Sequence, residues 1–197
     1  MGSGVKFELM ALPTKKGVVM QQYIDSIKLS LSTKNYFGAI AMALALPDIC
    51  ASVDATNNKT TGKKYCEWFN KYLADTYKQI FQDRDDIVVF GAPECYAARC
   101  SFLHQGTEII EHQESLKYMS NPAVKVNFMS LGMGRYIRNG DFLNLDVHFF
   151  CEDMINAVQK WMNDIKHDES KMRKIAAMPI IHESFNSLCG ANKSTIT

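Results

Sequence analysis

Residues 36–53 read YFGAIAMALALPDICASV, and this stretch decides the fold. Phe37, Ile40, Met42, Leu44, Leu46 and Ile49 fall on nearly every side of a helical projection. A helix that is apolar all round belongs at the centre of a bundle. Asn35 stands just ahead of it, where an N-cap belongs. Pro47 predicts either a kink or a fresh turn that starts beside it. Asp48 is the odd residue of the stretch. A carboxylate ionised alone in apolar surroundings is costly, so Asp48 is either a surface residue beside the Pro47 turn or a buried one with a partner, for which Arg99 is a candidate.

Helical periods flank this segment on both sides. From Val18, the residues Tyr23, Ile24, Ile27 and Leu31 form one apolar stripe. Beyond a polar loop at 54–62, Tyr65, Trp68, Phe69, Tyr72 and Leu73 predict a third helix over about 63–80. Ile87 to Phe90 is a short β-prone run. Pro93 and Glu94 then read as the first turn of a fourth helix, which carries Cys95 to His104, with Gly106 as its stop. After Thr107 the period changes. Val124, Val126 and Phe128 alternate with Lys125 and Asn127, turns stand at Gly132, Gly134 and Asn139-Gly140, and Phe142 to Leu145 follows. These residues predict a β-hairpin at about 122–146. Asp146 caps a last helix with the stripe Phe150, Met154, Ala157, Val158, Trp161 and Ile165, running on to about Met178, where Pro179 breaks it. The expected fold is mainly α: a bundle of about five helices with a small β-hairpin before the last long helix. A loose lead-in (1–17), one domain (18–178) and a polar tail (179–197) complete the organisation.

With 197 residues the chain suits a single domain that needs no disulfide to close its core. Lys and Arg number 22 against 21 Asp and Glu, a net charge of +1, so the chain as a whole is not a strongly basic nucleic-acid binder. A local basic groove remains open: Lys125, Arg135 and Arg138 interleave with Phe128 and Tyr136. A solvated hairpin face is the other reading of the same residues. The longest apolar run, Gly38 to Leu46, is shorter than the about 18 residues that a spanning helix needs, so no membrane partner is expected. The start has no basic lead into an apolar core and reads as a cloning scar at Met1 to Gly4. Six scattered cysteines without a CxxC pair read as reduced thiols in a cytoplasm.

The segment with most chemistry is Tyr96 to Gly106, YAARCSFLHQG. Arg99 supplies a permanent planar cation suited to phosphate, and His104 supplies a group that exchanges protons near neutral pH. Such a pair can cleave a phosphodiester without a metal. On a straight α-helix, however, a spacing of five residues turns through about 500°, leaving the two side chains roughly 140° apart. A two-fold dimer with a shared groove, or fraying before Gly106, would bring them together. A purely structural reading pairs Arg99 with Glu94 or Glu108 and leaves His104 at the helix end. Cys100 beside His104 is a possible thiol nucleophile. A zinc site from Cys95, Cys100, His104 and His112 lacks a compact second pair, so neither metal nor cofactor is expected. His148 and His182 have no evident partners, and Gly132-x-Gly134 lacks the rest of a dinucleotide fingerprint.

Arg99-x4-His104, late in a helix of a small bundle, resembles the R-x4-6-H motif of the HEPN superfamily. The wording is also similar to an uncharacterised bacterial family of HEPN type. Its landmarks are Ala45 to Cys50, Cys95 to Gly106 and Leu145 to Met154, which together cover about residues 20–165. The resemblance implies a compact all-α bundle that dimerises. Many members are metal-independent RNA endonucleases in defence, toxin–antitoxin or RNA-processing systems, some with a neutralising partner protein. Others are inactive modules that bind a nucleotide or a protein. In active members the Arg and His of both chains line the dimer cleft, which carries over to Arg99 and His104, with Asp48 as possible support. Two departures stand out. Active members often carry a polar residue directly after the Arg. Here that place holds Cys100, with Ser101 as the group able to replace it. The β-hairpin is foreign to a plain bundle.

Overall fold

A computed structural model of the chain describes residues 15–80, 82, 85–130 and 132–181. The fold is mainly α, with six α-helices and five short strands among those residues. The helices are α1 (Lys15–Ser32), α2 (Tyr36–Asp54), α3 (Gly62–Tyr72), α4 (Ala92–Cys100), α5 (Val147–Ile165) and α6 (Glu169–Ala176). The strands are β1 (Lys78–Gln79), β2 (Ile87–Val88), β3 (Lys125–Met129), β4 (Tyr136–Asn139) and β5 (Phe142–Asp146).

Helix α2 is the central element and contacts the other five helices. Asn35 caps it, its side chain accepting from the Gly38 N–H at 3.2 Å. The helix runs unbroken through the buried Pro47. Ala39, Leu44, Leu46 and Cys50 are fully buried in it, so truncating Leu44 to Ala would cost about 2–5 kcal/mol. Phe37 departs from this pattern and stands two-thirds exposed at 67%. By length and a mean hydropathy of 1.6, α2 also qualifies as long and apolar enough to cross a membrane, contrary to the expectation from its longest apolar run. Half of that window is buried inside the protein, as the core helix of a bundle requires.

Three expectations are corrected. The third helix stops at Tyr72 instead of running to Ile80. A 3-10 turn (Ala74–Tyr77) swings Tyr77 inward, edge-on to Phe90 at 5.3 Å, and β1 then pairs antiparallel with β2. Burial of Leu73 and Tyr77 overrides the helical period there. The last helix stops at Ile165, ahead of Pro179, because Asp168 caps a new helix by accepting from the Lys171 N–H at 3.1 Å. Helix α6 folds back, buries Ile175, and sets the Lys174 ammonium on the carbonyls of Val53 (3.0 Å) and Ala55 (2.6 Å) at the C-terminus of α2. Finally, the expected hairpin is a three-stranded sheet in the order β3-β5-β4. β3 and β5, read as the two arms of a hairpin, pair in parallel, Val126 opposite Leu143 and Phe128 opposite Leu145. The hairpin is β4–β5, turned at Gly140 with φ 58°. Asp146 then starts α5, accepting from the N–H groups of His148 (2.9 Å) and Phe149 (3.1 Å).

The lead-in shortens, since α1 begins at Lys15; its remainder, residues 1–14, lies outside the described residues, as do His182, Cys189 and the rest of the tail from 182.

Candidate functional site

Helix α4 starts at Gly91, where Glu94 reaches back to accept from the Gly91 N–H at 2.9 Å. Its other oxygen accepts from the Ala123 N–H at 2.8 Å and from Arg138 Nη1 at 3.3 Å. Glu94 is fully buried, so this ion pair fastens the start of α4 to the sheet and takes Glu94 away from Arg99. Glu108 is likewise engaged, by Lys125. The partner of Arg99 is Asp48: Nε donates to Oδ2 at 2.7 Å, across from α2 to α4, with both side chains largely buried.

The end of α4 is not α-helical. Ser101–Gln105 form a π turn, closed by Gly106 in the left-handed region at φ 63°. A π turn closes hydrogen bonds from i to i+5, so residue i+5 lies about one full turn on from residue i. Arg99 and His104 are separated by that interval. The wider turn carries His104 back over Arg99, and Nη1 lies 2.6 Å from His104 Nε2. Guanidinium has only N–H groups to offer, so Nε2 is the acceptor. One chain thus unites Asp48, Arg99 and His104 without a dimer partner. Burial pulls the Arg99 guanidinium down, but Asp48 and Cys100 more than offset this and hold it above its ordinary value. His104 is exposed and Arg99 half-buried, so the group opens to solvent.

The other candidates divide. Cys100 Sγ lies 3.9 Å from Arg99 Nη1, at the edge of the group. Ser101 does not join it. It is fully buried on the opposite side and its hydroxyl accepts from Gln113 Nε2 at 2.9 Å. Gln113, absent from the sequence reading, holds the π turn from behind and also donates to Gln105 Oε1 at 3.3 Å. Cys95 is buried against the Tyr65 hydroxyl at 3.3 Å, and among the described residues no His, Cys, Asp and Glu cluster could hold a metal. The five described cysteines are free. The basic residues of the sheet are spoken for. Arg138 also donates to the carbonyls of Val89 and Asn121, both at 2.9 Å. Arg135 pairs with Asp153 at 3.0 Å and lies over the Phe149 ring. His148 packs edge-on against Tyr36 at 5.4 Å.

In the π turn the half-buried Phe102 packs against the exposed Phe37, ring centroids 4.7 Å apart. With Gly106, Thr107 and Glu108 they line a shallow hollow of about 320 Å³. The sequence offers no signal for this pair, because Phe37 belongs to an otherwise buried helix. Compared with known proteins, the chain matches no family model, no curated protein and no solved structure.

Proposed function

We propose that this chain is an HEPN-like, metal-independent endoribonuclease that works as a homodimer in toxin-type or defence RNA cleavage. The observation that carries the reading is the Asp48–Arg99–His104 relay, with contacts of 2.7 and 2.6 Å. Asp48 fixes the guanidinium from behind, leaving its outer edge for a phosphate. A scissile phosphate that takes the Arg99 N–H frees Nε2 of His104. That nitrogen then accepts the proton of the neighbouring 2′-OH as the oxygen attacks phosphorus. Arg99 offsets the charge that develops on the phosphoryl oxygens. The P–O5′ bond breaks as the new O2′–P bond forms, and the leaving 5′-oxygen takes up the proton that His104 received, directly or through solvent, so the products are a 2′,3′-cyclic phosphate and a 5′-OH. Phe37 and Phe102 offer the faces on which unpaired bases stack.

Expression of the chain in a bacterial host tests this reading. Growth slows with the natural sequence and recovers with His104→Ala, which keeps the fold because His104 is exposed. Equal growth arrest by the two chains would sink it.

A second reading is a non-catalytic HEPN-like module that binds a nucleotide or a partner protein. The burial of Ser101, which leaves Cys100 as the group beside Arg99, favours it. It predicts binding without cleavage.

A further inference from the structure

The hollow lined by Phe37, Phe102, Thr107 and Glu108 begins two residues beyond His104, at Gly106, where the π turn ends. At about 320 Å³ it lies at the lower end of small-molecule sites and has room for one flat group. Part of its lining is aromatic. Phe102 backs one side of the Phe37 ring, 31° from parallel at 4.7 Å, and Phe37 still stands 67% exposed.

Glu108 adds a carboxylate. Its backbone is fixed to the sheet, the carbonyl accepting from the Val126 N–H at 2.9 Å. Lys125 pairs with Oε1, which restrains the side chain and balances its charge, so a polyanion is not turned away. The side chain is half exposed, and among the described residues its second oxygen has no partner. An aromatic face accepts any flat ring, whereas an ionised carboxylate accepts only from N–H or O–H donors. Of the four RNA bases, guanine alone carries two neighbouring N–H donors on its pairing edge, N1–H and the N2 amino group. Adenine and cytosine set a lone pair beside their amino group, which a carboxylate repels. Uracil offers a single N–H between two carbonyls.

We propose that this hollow holds an unpaired guanine base beside the scissile phosphate, with Phe37 stacked on its ring and Glu108 accepting from N1–H and the N2 amino group. The inference rests on the ribonuclease reading above and gives that enzyme its substrate preference: guanosine at one fixed position next to the cut. Because Lys125 holds the carboxylate before the base arrives, little ordering cost is added on binding.

Fluorescein-labelled 2′-O-methyl trinucleotides UGU, UAU, UCU and UUU cannot form the cyclic phosphate, so their binding to the intact chain, read by anisotropy, needs no cleavage. UGU is expected to bind about tenfold or more tighter than the other three. Phe37→Ala, at an exposed position, weakens UGU binding about tenfold. Glu108→Gln, in which one acceptor becomes a donor, brings UGU to the level of the others. Equal affinity for the four, no binding up to about 1 mM, or a UGU preference that survives in Glu108→Gln would overturn the proposal. So would displacement of UGU by methylguanidine as readily as by unlabelled UGU, which would give the hollow to an arginine of a partner protein. The two readings fail separately. UGU preference in a chain that leaves RNA uncut keeps the guanine site and removes the nuclease; cleavage without guanosine at a fixed position keeps the nuclease and removes the guanine site.

Discussion

Arg99 and His104 are five residues apart in sequence and 2.6 Å apart in space. On an ideal α-helix their side chains would diverge by roughly 140°. The π turn over Ser101–Gln105 narrows that divergence, and the reach of the Arg99 side chain closes the rest. Such turns cost backbone regularity and recur at functional sites. Here the cost is met by Gly106, which closes the turn in a conformation that glycine adopts freely, and by Gln113, which braces Ser101. Placing a cation against an imidazole on one face is the geometric result.

The Asp48–Arg99 contact is expected to be energetically coupled. Both side chains are partly shielded, at 14% and 21% exposure. Asp48→Asn should destabilise the fold by about 1–2 kcal/mol, less than the 3–5 of a fully buried pair. Arg99→Met should cost a similar amount, and the double variant less than the sum. Urea unfolding of the four chains checks this, and additive losses would mean that the pair stabilises nothing.

Glu94 is the anchor of α4, and Glu108 serves as its contrast. Removing the charge of Glu94, which holds two backbone N–H groups and Arg138, should cost about 2–4 kcal/mol in Glu94→Gln. Glu108 is half exposed and meets Lys125 at the surface. Glu108→Gln should stay within about 0.5 kcal/mol. Thermal melts of both variants test the ranking, which similar melting temperatures would contradict.

The thiols give a pH dependence. Burial lifts Cys66 from an ordinary value of 9.0 to about 11, and lifts Cys95 and Cys151 to about 12. Between these values the unfolded chain releases thiol protons that the folded chain keeps. Stability is therefore complete below about pH 9 and falls as pH rises through 9 to 12. Alkylation with iodoacetamide near pH 8, followed by mass spectrometry, should leave Cys50, Cys66, Cys95 and Cys151 unmodified in the folded protein, since the thiolate is the reactive form. Rapid labelling of Cys95 or Cys151 would refute the account.

Much of this was legible in the chain. The apolar run of α2 announced the core, and Asn35 and Asp146 announced their caps; of the readings open for Asp48, a surface residue by the Pro47 turn or a partner of Arg99, the structure has the second. What escaped was decided by contacts distant in sequence. Alternating residues identify β3 and β5 but not that they pair in parallel, because periodicity carries no direction. Tyr77 leaves the helical period only because Phe69 and Phe90 wait to receive it. The π turn left no local mark besides Gly106. The apolar side of α2 that stays uncovered at Phe37 depends on Phe102, which lies 65 positions later.

The most direct test of the central claim is incubation of the purified chain with labelled total RNA in EDTA, beside Arg99→Ala and His104→Ala. The account predicts cleavage by the natural chain alone, with cyclic-phosphate and 5′-OH ends. Intact RNA with a folded natural chain, or equal cleavage by either variant, would contradict it.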